Sequence, residues 1–182
     1  MNIWHHATPS SESYNPLVSI EQHRQTAPAS VRCFVLTISD TRTASDDVSG
    51  DAIAALLTGG GHVVHGRAVV KDDPAAVAGA VRAHASDAQV VITTGGTGIT
   101  SRDSTYEAIT GLLDKRLDGF GELFRALSYA EIGSAAMLSR ACAGTMGRTA
   151  IFALPGSENA VRLAMTKLIL PEIGHVVREL ER

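Results

Sequence analysis

The sequence predicts an α/β protein built on a doubly wound, mostly parallel sheet. Three observations carry that expectation. From Val31 to Thr94, apolar strand-like runs alternate with helix-like segments in the order strand, helix, strand, helix, strand. The strands are near-continuous aliphatic runs, as expected where both faces of a sheet are covered. Aromatics make up only 4% of 182 residues that are 45% hydrophobic, so the core must rest on Ala, Val, Leu and Ile. That length suits one domain with a real core.

Residues 1–28 are polar, carry three prolines and lack periodicity, which predicts an extended N-terminal arm, disordered or laid across a neighbour. Its adjacent His5 and His6 read as incidental. Residues 29–182 then form a single domain. "VRCFVLTIS" is the first strand. Ser49-Gly50 opens a helix with Ile53, Leu56 and Leu57 on one face, ended by Gly59-Gly60-Gly61. "HVVHGRAVV" is the second strand. Asp73-Pro74 is an N-cap followed by Pro at the first helical position, starting a helix through Val77, Val81 and His84. "VVITT" is the third strand. Helical patterns follow at Ser104–Leu113 and Gly119–Ala130, then a strand pair, "RACAG" and "TAIFAL", joined around Met146-Gly147. The last helix, "GSENAVRLAMTKLIL", is expected to break at Pro171, with its spacing resuming at Ile173, Val176, Val177 and Leu180.

In such a sheet, ligands bind beyond the carboxyl ends of strands, where neighbouring connections leave in opposite directions. With the first strand between the second and third, the informative loops are "SDTRTASDDVSG" and "GGTGITSRD". Gly95, Gly96 and Gly98, around Thr97, let successive amides face one point and suit a phosphate; a tight turn without ligand is the plain alternative. The stretch fits neither a P-loop nor the dinucleotide-binding glycine pattern. Asp47 and Asp103 approach this turn from the two loops, with Asp46 and Asp40 nearby. Acids beside a phosphate cradle repel it unless a cation lies between, and Mg2+ commonly fills that place. Taken singly, Asp47 also reads as a helix-terminal carboxylate and Asp103 as a partner of Arg102 or a cap. Ser49 and Gly50 follow Asp47. Ser139-Arg140 offers a bidentate phosphate grip or a surface ion pair. Pro155-Gly156-Ser157 starts a helix, as an anion site or a plain cap.

Other classes are excluded. The formal charge of −3 gives no footprint for nucleic acid or an anionic membrane. No stretch approaches the ~18 apolar residues of a membrane span and no signal-peptide core opens the chain, so a cytoplasmic protein is expected. Cys33 and Cys142 sit in apolar runs and read as buried free thiols, and His62, His65 and His84 as structural. A phospho-acceptor receiver domain fails because Lys71 and Lys115 fall in the wrong places. Leu123, Phe124, Leu127 and Tyr129 supply a candidate interface.

The motifs "TTGGTGITSRDSTYEA", Asp-x-Ser-Gly at Asp47–Gly50, "DGFGELFRALSYAEIG", "SRACAG" and "LPGS" together resemble the MoaB/MogA family of molybdenum cofactor biosynthesis proteins, the molybdopterin adenylyltransferase type, with forms closest to the MoaB branch. Tyr106 stands where many adenylyltransferases carry Pro. The resemblance implies a three-layer α/β/α domain assembled as a trimer or hexamer. It implies an enzyme that binds molybdopterin and transfers AMP from ATP to its terminal phosphate, with Mg2+ held by Asp47 and Asp103 and substrate held around Gly95, Gly96, Thr97 and Gly98. The alternative is a non-catalytic protein of the same pathway that binds molybdopterin or a nucleotide such as GTP.

Overall fold

The computed structural model describes residues 24–101 and 103–182. Most of the expected arm, with His5 and His6, lies outside the described residues, as does Arg102. Where the arm meets the domain, Arg24 pairs with Glu172 and the Pro28 carbonyl lies against Gly174.

Six strands form one sheet: β1 (Arg32–Ile38), β2 (Val63–Val70), β3 (Val90–Thr94), β4 (Lys115–Arg116), β5 (Cys142–Met146) and β6 (Thr149–Leu154). Their order is β2-β1-β3-β6-β5-β4. β1 pairs in parallel with β2 and β3, and β3 with β6, whereas β5 runs antiparallel to both β6 and β4. β1 therefore lies between β2 and β3, and the connections from β1 and β3 diverge at one edge.

The two faces of the sheet follow from alternation along β1. Cys33 and Val35 point into one core, against α1 (Val48–Gly59), α4 (Asp118–Ile132), α5 (Glu158–Ala164) and α6 (Leu170–Glu181). Phe34, Leu36 and Ile38 point into the other, against α2 (Pro74–Ala85) and α3 (Thr105–Thr110). The result is the three-layer α/β/α arrangement that the sequence predicted.

Asp73 caps α2 as its position before Pro74 implied: its side chain accepts from the Ala76 amide at 2.8 Å. Asp73→Ala is expected to lower stability by about 1 kcal/mol, the usual cost of losing a cap. Urea denaturation measures it, and an unchanged midpoint would show the cap to be idle.

Three expectations about the fold need correction. Pro171 does not break the last helix. The chain forms a π-helical turn at Met165–Ile169, where the Leu170 amide reaches back to the Met165 carbonyl, and α6 then continues with Pro171 in its first turn. Widening one turn accommodates a ring that has no N–H to donate. The helix expected over Ser104–Leu113 is only Thr105–Thr110, and the chain beyond it forms the unanticipated short edge strand β4. A 3-10 segment, Gly133–Leu138, follows α4. Finally, Phe124 is no surface residue. It is 1% exposed in the core beside Phe120, which packs edge-on against Phe152 with ring centroids 5.3 Å apart. Leu123 and Tyr129 are exposed as expected, while Leu127 is half-buried against the core.

Candidate functional site

The turn after β3 is built by glycines in conformations that side chains resist. Gly95 has φ +103 and Gly96 φ +64. A Cβ on Gly95 would stand 2.1 Å from the Ile38 carbonyl oxygen, at the end of β1. The Gly95 amide donates to the Leu154 carbonyl at 3.0 Å, tying the turn to β6, and a Cβ on Gly156 would stand 3.3 Å from the Gly95 Cα. Glycine is needed because the backbones of three strand ends meet here.

Gly95, Gly96, Thr97, Gly98 and Asp103 line one side of a hollow of about 460 Å³. Pro155, Gly156 and Ser157 line another side, and Phe124, Ile132, Ala136 and Leu138 supply an apolar wall. Ser157 makes no side-chain capping bond. Among the described residues, no acceptor takes the amides of Gly96 and Thr97, although Thr97 is only 4% exposed. Amides left without an acceptor at a strand end suit an anion.

Asp103 is anchored within the turn. Its Oδ2 accepts from the Thr100 amide at 2.8 Å and the Thr100 hydroxyl at 2.6 Å. The Thr100 hydroxyl, with the amides of Thr100 and Gly98 and the nearby Arg140 charge, holds the Asp103 carboxyl below its ordinary value. The group is an anion at neutral pH.

Asp47 occupies a different place. It caps α1, accepting from the Gly50 amide at 3.0 Å, and its Oδ2 accepts from the Thr37 hydroxyl at 2.6 Å and pairs with Arg67 of β2 at 3.2 Å. Only 2% exposed, it borders a small separate hollow with Ala44, Arg67, Ala68 and Val69. Asp47 and Asp103 thus line separate hollows, the Asp47 carboxylate turning toward Arg67 of β2. Gly50 serves this network, since a Cβ there would stand 2.0 Å from Asp47 Oδ2. Ser49 does reach the site's rim, donating to the Gly156 carbonyl at 2.8 Å. Asp46 is exposed and held by the Thr43 amide and hydroxyl, which lower its carboxyl's pKa.

A further acid at the glycine turn is Asp72, just beyond β2, which the sequence reading passed over. Its Oδ1 accepts from the Ser104 hydroxyl at 3.0 Å, the Ser104 amide at 3.3 Å and the Thr105 hydroxyl at 3.3 Å. Its Oδ2 would lie 2.5 Å from a Cβ on Gly96. Asp40 holds the same corner, accepting from the Asp72 amide at 3.2 Å. The signal was present in "KDDP", but Asp73 explained that stretch as a cap and left its neighbour without a role.

Arg140 forms the ion pair that was one of its two readings. Its Nε donates to the Thr97 carbonyl at 3.2 Å and its Nη2 to the Asp103 carbonyl at 3.1 Å, while Nη1 pairs with Glu107 and the guanidinium lies 5.0 Å from the Tyr106 ring centroid. The side chain braces the glycine turn, each of its three nitrogens donating to protein. Ser139 lies on the hollow's edge. Neither thiol offers a nucleophile: burial pushes Cys33 up to about 12 and Cys142 up to about 11.

Fold and hollow together define a doubly wound α/β protein with a glycine-lined cleft at its switch point. The family described as "Probable molybdopterin binding domain" matches residues 34–175. Molybdenum cofactor biosynthesis protein B of Bacillus cereus is 55% identical over 168 residues, covering 91% of this chain and 99% of the relative. The corresponding protein of Bacillus subtilis is 51% identical over the same shares. A crystal structure of a molybdenum cofactor biosynthesis protein B superposes with TM-score 0.83 at 57% identity, covering 86% of this chain and 99% of that one. The tungsten cofactor synthesizing protein MoaB of Pyrococcus furiosus gives 0.73 at 40% identity, covering 86% and 100%. The chain belongs to the MoaB/MogA family of molybdenum cofactor biosynthesis proteins, and its role lies in that pathway. Among the described residues, no helix is long and apolar enough to cross a membrane.

Proposed function

We propose that the protein binds molybdopterin and transfers AMP from ATP to its terminal phosphate, releasing pyrophosphate with Mg2+ as the accompanying ion. The observation that carries this reading is the pair of amides at Gly96 and Thr97, without a protein acceptor among the described residues, with Asp103 lining the same hollow and Asp72 against Gly96. A phosphate group supplies the acceptor these amides lack. The apolar wall from Phe124 to Leu138 suits a flat ring.

The chemistry asks little of the protein beyond placement. An oxygen of the acceptor phosphate bonds to the α-phosphorus of ATP, and the bond from that phosphorus to the β-bridging oxygen breaks, its electron pair leaving with pyrophosphate. A phosphate monoester, whose second pKa is about 6, is already largely ionised at neutral pH, so no general base is required. That agrees with a hollow lined by no histidine. Mg2+ takes one or two carboxylates and completes its shell with water and phosphate oxygens. Asp103 and Asp72 are the residues that would hold it, in place of the Asp47–Asp103 pair, and among the described residues no cluster of three or more such side chains offers an all-protein cage. When bound, the ion offsets charge on the phosphates.

Exposed apolar side chains on α4 and the following 3-10 segment, with Met137 at 78% exposure, suit contact between copies in the expected trimer or hexamer.

The deciding experiment mixes the purified protein with molybdopterin, Mg2+ and either ATP or GTP, and follows pyrophosphate and the nucleotidylated product. Pyrophosphate formation with ATP is expected. Protection against thermal unfolding with no pyrophosphate would instead establish the non-catalytic binding reading.

A further inference from the structure

A second hollow, of about 390 Å³, opens behind Arg140 between β4, β5 and α4. It shares only Ser139 with the glycine hollow. Three of its walls are arginines: Arg116, Arg125 and Arg140. Arg140 is committed to the glycine turn and Glu107, and Arg116 pairs with Asp118 at 3.1 Å. Arg125 differs. It is only partly exposed, yet among the described residues it has no carboxylate or carbonyl partner. Glu122, three residues earlier on the same helix, also lines the hollow but is not paired with it, although the spacing would permit a pair.

Gly121 explains where the guanidinium has gone. A Cβ there would stand 3.0 Å from Arg125 Nη1 and 3.2 Å from Nη2, so the missing side chain gives the fork room to fold inward. A partly buried, unpaired guanidinium is costly unless an anion meets it, and its planar fork matches phosphate oxygens in pairs.

We propose that this hollow is an oxyanion site of the phosphate class, gripped by the Arg125 fork with Arg116 contributing from β4. Through Arg140 it abuts the glycine turn, but it binds its ligand independently of it.

Arginine modification by phenylglyoxal, mapped by mass spectrometry on the intact protein without nucleotide or molybdopterin, tests this directly. Arg125 is expected to react readily, and inorganic pyrophosphate is expected to slow its modification at least about 10-fold. Malonate, a dicarboxylate, is expected to protect far less. By calorimetry, Arg125→Gln is expected to weaken pyrophosphate binding at this site about 10-fold, whereas Glu122→Gln does not weaken it. An Arg125 that is unreactive without ligand, or one that pyrophosphate leaves unprotected, overturns the site. Equal protection by malonate overturns the phosphate class. Failure of AMP transfer would leave each of these outcomes unchanged.

Discussion

Replacing Asp103 by Asn lowers the proposed AMP transfer at least about 100-fold while leaving the protein folded, in keeping with the loss of one charged group beside developing phosphate charge. The substitution is nearly isosteric. The Asn carbonyl still accepts from the Thr100 amide and hydroxyl, so the turn keeps its shape while the charge is removed. The environment of Asp103 makes that charge dependable. Because the Thr100 hydroxyl above all lowers the carboxyl's pKa from its ordinary 3.8, the group's contribution to stability is fully present above that value. It is lost only as pH falls through the lower folded value, so Asp103 does not limit activity between about pH 5 and 8. Wild-type rates in Asp103→Asn would remove the acid from the reaction.

Gly95→Ala is the substitution expected to cost most in stability, about 3–5 kcal/mol. The alanine methyl would stand 2.1 Å from the Ile38 carbonyl, and φ of +103 is strained for any side chain. Neither partner has room to yield: Ile38 ends a central strand, and the Gly95 amide is bonded to Leu154. Gly147 provides the comparison. It also has positive φ, +57, but no atom lies within 4 Å of its would-be Cβ, so Gly147→Ala costs only about 1–2 kcal/mol. Urea denaturation separates the two, and equal losses would mean that the crowding at Gly95 is relieved elsewhere.

What could be read from the sequence was what local pattern encodes. The near-continuous apolar run in "RCFVLTI" assigned β1 to a doubly covered sheet, Asp73-Pro74 fixed the start of α2, and consecutive glycines after "VVITT" marked the turn. Side-chain direction across strands was not legible. Asp47 and Asp72 both sit near strand ends, and only the fold reveals that the first meets Arg67, twenty residues away, while the second folds under Gly96. Arg140 likewise reaches back across 43 residues to Thr97, a contact that no spacing rule contains. Phe124 carried a misleading signal. An aromatic among polar neighbours on α4 suggests an interface, yet its i−4 relation to Phe120 puts both rings on the core face.

The proposed function requires Asp72 and Asp103, near the glycine turn, to share a divalent ion with a phosphate ligand. Crystals grown with Mn2+ and a non-hydrolysable ATP analogue test it by anomalous diffraction, which locates the ion without reference to activity. The account predicts a peak within ligand distance of Asp103 and Asp72, beside the amides of Gly96 and Thr97. A peak at Asp47, or a nucleotide bound with no ion at the glycine turn, would contradict it.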